Sequence, residues 1–182
     1  MRPPETFTTA RLFARPPRPG DAASALESYA GDPVATRYLS WRPYSEIPPL
    51  AEFFAARARD WAGGALAPGS HYAWLLFTRG TEALVGSISV LPERHKALFG
   101  YVLGRAYWRH GYAAEALAHL VEWALAQPPI HRAWAYCDVE NPASARVMEK
   151  AGMAREGILR RWHVCPTIGP EPRDCITCAR TR

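Results

Sequence analysis

The residues with the clearest chemistry lie at a basic turn between a short apolar segment and a long amphipathic one. The turn carries Arg109, His110 and Gly111, and apolar residues recur at helical spacing after it. A helix that begins directly after a strand points its unpaired amides and the positive end of its dipole beyond the sheet. Gly111 lets a ligand approach the backbone, because no side chain stands in the way. The pattern predicts an anion site on the amides of residues 109–113, with added charge from Arg109 and His110.

A second candidate is the sequence Asn-Pro-Ala-Ser at residues 141–144. Asn141 before a proline is typical of a helix start, because its side chain caps the first amides and proline fits the first turn. We expect Asn141 to cap this helix and to contact a ligand as well. Ser144 places a hydroxyl group in the same turn, where it either hydrogen-bonds a ligand or faces solvent.

Proton acceptors and metal ligands are the next side chains to consider. Glu93, His95 and His71 are candidate general bases, directly or through water, although each also fits a surface position. A zinc site would need the single C-x-x-C pair of Cys175 and Cys178, joined by His163 and Cys165. Since only one such pair is present, in a predicted terminal strand, we expect no metal and reduced thiols.

The elements that position these residues follow from the pattern along the chain. Strands and helices alternate in a way that predicts an α/β sheet with helices on both faces. We expect a first strand at residues 7–14, a short helix opening at Asp32, and a break at residues 63–69. A β-hairpin over residues 72–91 then leads to the strand that precedes the basic turn.

The composition is that of one globular domain of 182 residues, with 48% hydrophobic residues. The net charge of +5 suits anionic ligands. A nucleic-acid partner is disfavoured, because no run of Lys or Arg exceeds two residues. No apolar stretch is long enough to span a membrane, and the N-terminus lacks the apolar core of a signal peptide. We therefore expect a cytoplasmic protein.

The basic turn resembles the coenzyme A pyrophosphate loop of the GNAT acetyltransferase superfamily. Residues 108–116 read WRHGYAAEA, where the ribosomal-protein N-terminal acetyltransferase (RimJ/RimL-like) branch usually reads Trp-Gly-x-Gly-Tyr-Ala-x-Glu-Ala. Gly111 keeps the second glycine, and Arg109 replaces the first. Further matches to the branch are NPAS at 141–144, KAGM at 150–153, TARL at 9–12 and PRD at 172–174. The resemblance therefore covers nearly the whole chain.

The resemblance implies the GNAT fold, with a mixed, mostly antiparallel central sheet in which two neighbouring parallel strands splay apart at the cofactor. It implies an acyltransferase that moves an acetyl group from acetyl-CoA to a primary amine by direct attack. Ser144 matches a serine proposed to protonate or hydrogen-bond the leaving thiolate. The residues implied in acetyl-CoA binding are Val102, Leu103, Arg109, His110, Gly111, Tyr112, Ala113, Asn141 and Ser144.

Two acid–base positions of the family are apolar in this sequence. Leu98 stands where the branch often has a glutamate, and Met148 stands where many members have a tyrosine. We therefore expect the base to come from elsewhere, with Glu93 as a catalytic candidate. The alternative is a non-catalytic module that binds or senses acyl-CoA and transfers nothing.

Two classes of acceptor fit, a protein N-terminal α-amine and a small-molecule amine. The amine must be neutral to attack a thioester. At pH 7 about one lysine in a few thousand is neutral, but about one α-amine in seven. A site without a strong base therefore favours α-amines or weakly basic amines. A monomer and a homodimer are both compatible with the resemblance.

Overall fold

A computed structural model describes residues 3–62 and 71–182. Eight strands form one sheet in the order β1-β2-β3-β4-β5-β6-β8-β7. The strands are β1 (Phe7–Thr8), β2 (Leu12–Arg15), β3 (Tyr72–Thr78), β4 (Leu84–Pro92), β5 (Lys96–Leu103), β6 (Arg132–Asp138), β7 (Ala154–Val164) and β8 (Pro172–Thr181). The first and last strands thus belong to the same sheet.

Helices cover both faces of this sheet. They are α1 (Ala22–Ala25, continuing as the π-helical segment Leu26–Ala30), α2 (Ile47–Ala62), α3 (Tyr112–Leu125) and α4 (Pro142–Lys150). Alternate residues of β3 reach opposite sides, as the two-residue period of a strand requires. Leu75 packs with α1 and α2, whereas Leu76 packs in the larger core with α3 and α4.

The core on the α3 side explains why α3 forms where the sequence predicts it. Five of its residues at helical spacing have no exposed surface, namely Ala116, Leu117, Leu120, Val121 and Ala124. Burying one leucine side chain contributes about 1.5–3 kcal/mol, so this stripe fixes the helix firmly against the sheet. The start of α3 is thereby held at the end of β5.

Only β5 and β6 pair in parallel; the other neighbouring strands of the sheet are antiparallel. The parallel register has three pairs, from Lys96 opposite Arg132 to Leu98 opposite Trp134. Both strands continue beyond this point without pairing to each other. The predicted α/β fold, with its mostly antiparallel sheet splayed between two parallel strands, is confirmed.

Two local predictions were wrong. Residues 7–14 form two strands, with Phe7 opposite Ala14, because Thr9 closes a turn between them. The Thr9 amide donates to Leu12 O at 2.9 Å, and Thr9 Oγ1 accepts from Leu12 N at 3.1 Å. The segment after Asp32 forms turns rather than a helix.

The cap predicted at Asp32 forms, but the turn that it starts does not extend into a helix. Asp32 Oδ1 accepts from Val34 N at 2.8 Å and Ala35 N at 3.4 Å, which are the bonds that a helix N-cap makes. The break predicted at residues 63–69 lies outside the described residues. Within the described part of the chain, no helix is long and apolar enough to cross a membrane.

Candidate active site

The candidate site is the gap that opens where β5 and β6 stop pairing. Gly104 N donates to Val85 O at 3.0 Å, so the backbone of Gly104 faces β4. Every second residue of an antiparallel pair shares that direction, which turns the backbone of Val102 to β4 and that of Leu103 to the gap. Trp108 Nε1 accordingly reaches Leu103 O from the gap side, at 2.8 Å. The gap is therefore lined on one edge by backbone polar groups that β6 does not satisfy.

The basic turn lies at the mouth of this gap. Gly111 adopts φ +82° and Arg109 φ +67°, both in the left-handed region, and the chain then enters α3. The first helical bond runs from Glu115 N to Gly111 O at 3.0 Å. The amides of residues 112–114 precede that bond and have no partner within the helix. The start of α3 therefore offers amides without a helical partner and the positive end of a helix dipole. Binding of an anion there stays a prediction.

Glu115 ties this turn to the other end of the chain. Its Oε1 accepts from Thr9 Oγ1 at 2.5 Å and Arg11 N at 2.9 Å, and its Oε2 accepts from Arg11 Nε at 2.6 Å. Arg11 Nη1 donates in turn to His110 O at 2.8 Å, and its guanidinium lies 4.9 Å from the centre of the Tyr112 ring. One carboxylate therefore holds the β1–β2 turn against the basic turn and fixes the geometry of both.

The start of α4 closes the opposite side of the gap. Asn141 Oδ1 accepts from Ser144 N at 3.2 Å, so the predicted cap is confirmed. Ser144 Oγ lies 2.7 Å from the hydroxyl of Tyr101 on β5. Because Tyr101 and Ser144 belong to the two sides of the gap, this bond spans it. Met148 is fully buried beneath them and presents no polar group to the gap.

The chain is similar to known proteins both in sequence and in structure. Residues 11–154 match the family described as the acetyltransferase (GNAT) domain. The chain belongs to this GNAT acetyltransferase family. It is therefore an acyltransferase. A curated relative is the uncharacterized N-acetyltransferase p20 of Bacillus licheniformis, 26% identical over 164 residues, which are 87% of each chain.

Solved structures share the GNAT fold over almost the whole length of the chain. A GNAT acetyltransferase from Bacillus anthracis is 25% identical, with a TM-score of 0.78 over 97% of this chain and 98% of that one. The RimL ribosomal L7/L12 α-N-protein acetyltransferase, solved with coenzyme A, superposes with a TM-score of 0.81 at 17% identity, over 97% and 98% of the two chains. At that identity the second likeness shows the fold alone.

On the face away from α3 and α4, the GNAT gap opens beside a polar cluster. Asp138, at the end of β6, is almost fully buried and pairs with Arg173 of β8. Arg173 also reaches Glu140 at 2.7 Å. The Tyr136 hydroxyl lies 3.3 Å from His163 Nδ1. Burial lowers the pKa of His163, and nearby Asp138 raises it only in part, so the imidazole stays neutral at pH 7.

Two neighbouring cavities lie near this cluster and share Ile168. One, of about 450 Å³, is lined by Val139 and residues 168–174. The other, of about 340 Å³, is lined by Pro33, Val34, Arg37, Thr167 and Ile168. Together they form a cleft between the turns after Asp32 and the loop joining β7 to β8.

Most of the residues predicted for the site surround the gap. The exception in position is Glu93, which lies in the β4–β5 turn and pairs with Lys96 Nζ at 2.7 Å. That turn precedes the paired end of β5, so the distance to the gap is several residues of strand. Glu93 as a catalytic residue stays a prediction, and so do the acetyl-CoA contacts predicted at Val102, Leu103, residues 109–113, Asn141 and Ser144.

The other base candidates and the cysteines lie away from the basic turn. Burial lowers the pKa of His71 to about 4, and its neighbours are Arg57 and Asp60 of α2. All four cysteines are buried and unpaired. Among the described residues, no group of three His, Cys, Asp or Glu side chains is arranged to hold a metal ion.

The sequence did not predict two residues of the site. These are Tyr101, and His163 as the neighbour of Tyr136. Tyr101 is 43 positions from Ser144, and His163 is 27 from Tyr136. The available signal was alternation along the strand, which places the Tyr101 side chain on the same face of the sheet as Phe99, the face that packs against α3 and α4. That signal gives a side of the sheet and not a partner.

Removing the Glu115 carboxylate is expected to destabilise the fold. In Glu115→Ala, the free energy of unfolding should fall by about 1–3 kcal/mol, because Thr9 and Arg11 lose a charged acceptor. Although burial raises the pKa of Glu115, hydrogen bonds from Thr9 and Arg11 lower it below its ordinary 4.5. The carboxylate therefore stabilises the fold above pH 4.5, and its contribution disappears as the pH falls further.

Urea unfolding at pH 7 and pH 4 measures this effect. The control is Glu122→Ala on the same helix, whose side chain is 70% exposed and 4.0 Å from Arg180. It should change stability by less than about 0.5 kcal/mol. An equal loss in both variants, or a loss in Glu115→Ala that grows on acidification, would contradict the assigned role.

Proposed function

We propose that the chain is an acetyl-CoA-dependent N-acetyltransferase that transfers an acetyl group to a primary amine by direct attack. The observation that carries the proposal is the gap between β5 and β6, with the start of α3 at one end and the cleft at the other. Two substrates can meet there from opposite sides. No cysteine lies in either motif of the site, so nothing points to an acyl-enzyme.

The basic turn fits the pyrophosphate of coenzyme A. A cofactor with two linked phosphates needs several donors at once, and the amides of residues 109–114 converge at the start of α3. Each hydrogen bond to a charged group contributes roughly 1.5–3 kcal/mol, so a few of them reach the roughly 8 kcal/mol of micromolar binding. Arg109 and His110 add charge, and the Gly111, Tyr112 and Ala113 amides supply donors.

The gap fits the amide-bearing arm of the cofactor. The Leu103 N–H faces the gap, where an extended arm could pair with it as an added strand would, whereas Leu103 O already accepts from Trp108 Nε1. Asn141 extends the proposed contacts along the arm, and Val102, whose backbone faces β4, adds none through its backbone. Ser144 then donates a hydrogen bond to the sulfur as the carbon–sulfur bond breaks. The electron pair of that bond goes to the sulfur, and water protonates the thiolate after release.

The amine must give up a proton on the cleft side. His163 supports this role because it is neutral and lies beside Tyr136, at the unpaired end of β6. Glu93 is the alternative base. Turnover lost in His163→Ala but kept in Glu93→Gln would favour the imidazole, and the reverse result would favour the carboxylate.

We propose the RimJ/RimL-like branch and a protein N-terminal α-amine as the preferred acceptor. The motifs quoted above and the fold shared with the RimL acetyltransferase support this choice. An α-amine is also more often neutral than a lysine at pH 7, so it demands less of the base. A small-molecule amine is the other acceptor class.

The biological setting is proposed on similar grounds. Residues 1–182 act as one acetyltransferase domain, since the first strand, β1, and the last strand, β8, belong to the same sheet. Four buried, unpaired thiols are typical of the reducing cytoplasm. The active form is a monomer or a homodimer, which light scattering of the purified protein would distinguish. No membrane or nucleic-acid partner is proposed.

Thiol release from acetyl-CoA tests the proposed function directly. The acceptors should be short peptides with free N-termini, the same peptides blocked at the N-terminus, polyamines and aminoglycosides. We expect turnover with free peptides and none with blocked ones. Turnover with small amines alone would reassign the acceptor, and tight acetyl-CoA binding without any turnover would favour the sensing module.

Charge at Gly111 should abolish binding of coenzyme A. A Cβ atom there meets only Arg11 Nη2, at 3.4 Å, so a side chain fits without a backbone collision. Gly111→Asp places a carboxylate against the pyrophosphate. The affinity of this variant for coenzyme A, measured by calorimetry, should be lower than that of the wild type by at least about 100-fold. Gly111→Asn is the matched control, because asparagine tolerates a positive φ and is uncharged. If Gly111→Asp kept micromolar affinity for coenzyme A, that result would contradict the placement of the pyrophosphate at the basic turn.

A further inference from the structure

The hydroxyl of Tyr101 reaches from β5 across the gap to the first turn of α4. It lies 2.7 Å from Ser144 Oγ and 2.9 Å from Ser144 O. The ring packs against the core on the α3 side, so the hydroxyl has little freedom to move. Ser144 is half-buried at the first turn of α4. The serine expected to act on the sulfur therefore already has a buried phenol as its neighbour.

The direction of this hydrogen bond matters for the serine. A serine hydroxyl donates one bond and accepts others, and so does a phenol. Burial raises the pKa of Tyr101, while the bond to Ser144 lowers it only in part, so the phenol remains protonated throughout the neutral range. The carbonyl Ser144 O can only accept, so the phenol donates to it at 2.9 Å while Ser144 Oγ donates to the phenol oxygen. When a negative charge forms in the gap, Ser144 turns its proton to that charge, and the phenol, 2.7 Å away, donates to Ser144 Oγ instead.

Because Met148 is fully buried and has no polar group, the phenol of Tyr101 is an important hydroxyl neighbour of Ser144. Met148 presents no donor to the gap, so α4 offers the serine hydroxyl alone. Tyr101 brings a phenol to the same place from β5, on the opposite side. Hydrogen bonds in a chain polarise one another, so a phenol behind the serine strengthens the bond that the serine donates.

We propose that Tyr101 is a positioning residue that turns the Ser144 hydroxyl to the sulfur of coenzyme A and strengthens its hydrogen bond to the thiolate. This role rests on the proposed function. Tyr101 does not touch the sulfur and transfers no proton. The carbon–sulfur electron pair stays on the sulfur, and the Tyr101–Ser144 chain lowers the free energy of that negative charge.

The pKa of the coenzyme A thiol in the bound state measures how far Tyr101 stabilises the thiolate, and the measurement needs no acceptor amine. The thiolate absorbs in the ultraviolet, so coenzyme A bound to the full chain can be titrated by difference against its S-methyl analogue. The subtraction removes the protein's own thiols, and burial raises the pKa of the nearby Cys137 to about 12 in any case. Four proteins are compared: wild type, Tyr101→Phe, Ser144→Ala and the double variant.

We expect Tyr101→Phe to raise the pKa of the bound thiol by about one unit, a tenfold loss of thiolate at a given pH. Ser144→Ala should raise it at least as much, and the double variant no further than Ser144→Ala, because Tyr101 acts through the serine. Tyr29→Phe is the matched control, since Tyr29 is also buried with a raised pKa but packs on the α1–α2 face. It should leave the bound thiol unchanged.

The possible failures are distinguishable. An unchanged thiol pKa in Tyr101→Phe, or effects of the two substitutions that add, would overturn the inference and leave the proposed function intact. Wild-type protein that binds neither coenzyme A nor its analogue would overturn both. Because Tyr101→Phe keeps the ring, its thermal unfolding should stay within a few degrees of wild type.

Discussion

The parting of β5 and β6 is the constraint on which the rest of the structure depends. Two strands that pair for three residues and then diverge leave polar backbone edges facing each other across an open space. Buried backbone groups without partners are costly, so the gap must be filled by water or by a ligand. The elements around it hold it open. The α3 stripe anchors one end, and the Tyr101–Ser144 bond fixes the width at the other.

Charge is distributed along the gap in a way that separates two approaches. Unpaired amides and basic side chains gather at the start of α3, and Glu115 is turned away from them to bind Arg11 and Thr9. On the other face, Asp138 is compensated by Arg173, which leaves the cleft mixed in charge. An anionic substrate therefore has one favoured entrance. An amine meets no concentration of positive charge at the other.

The features that were predictable from sequence are those set by local chemistry. Asn141 before proline specifies its own cap, and the apolar spacing after Gly111 specifies α3 and its buried face. The resemblance supplied the splayed sheet. The helix predicted after Asp32 is absent although its cap forms, because a cap starts a turn but does not by itself extend it into a helix.

The remaining features depend on tertiary contacts that no local pattern encodes. The partners of Glu115 lie more than 100 positions away, at Thr9 and Arg11. Tyr101 meets Ser144 only because the sheet and α4 bring two distant segments together. Glu93 has a side chain that suits a general base, but it lies in the β4–β5 turn, where it pairs with Lys96 and is several residues from the gap. The cleft is likewise built from loops and turns, which no local pattern places.

Amide hydrogen exchange with and without coenzyme A tests the central claim most directly, because it locates the cofactor along the chain. The account predicts slower exchange concentrated in two segments, residues 99–104 at the free edge of β5 and residues 109–114 at the start of α3. Residues 86–90, already paired with both β3 and β5, should change little. Binding that protects neither segment, or that protects only the β7–β8 side, would contradict the claim that the parted strands hold the cofactor.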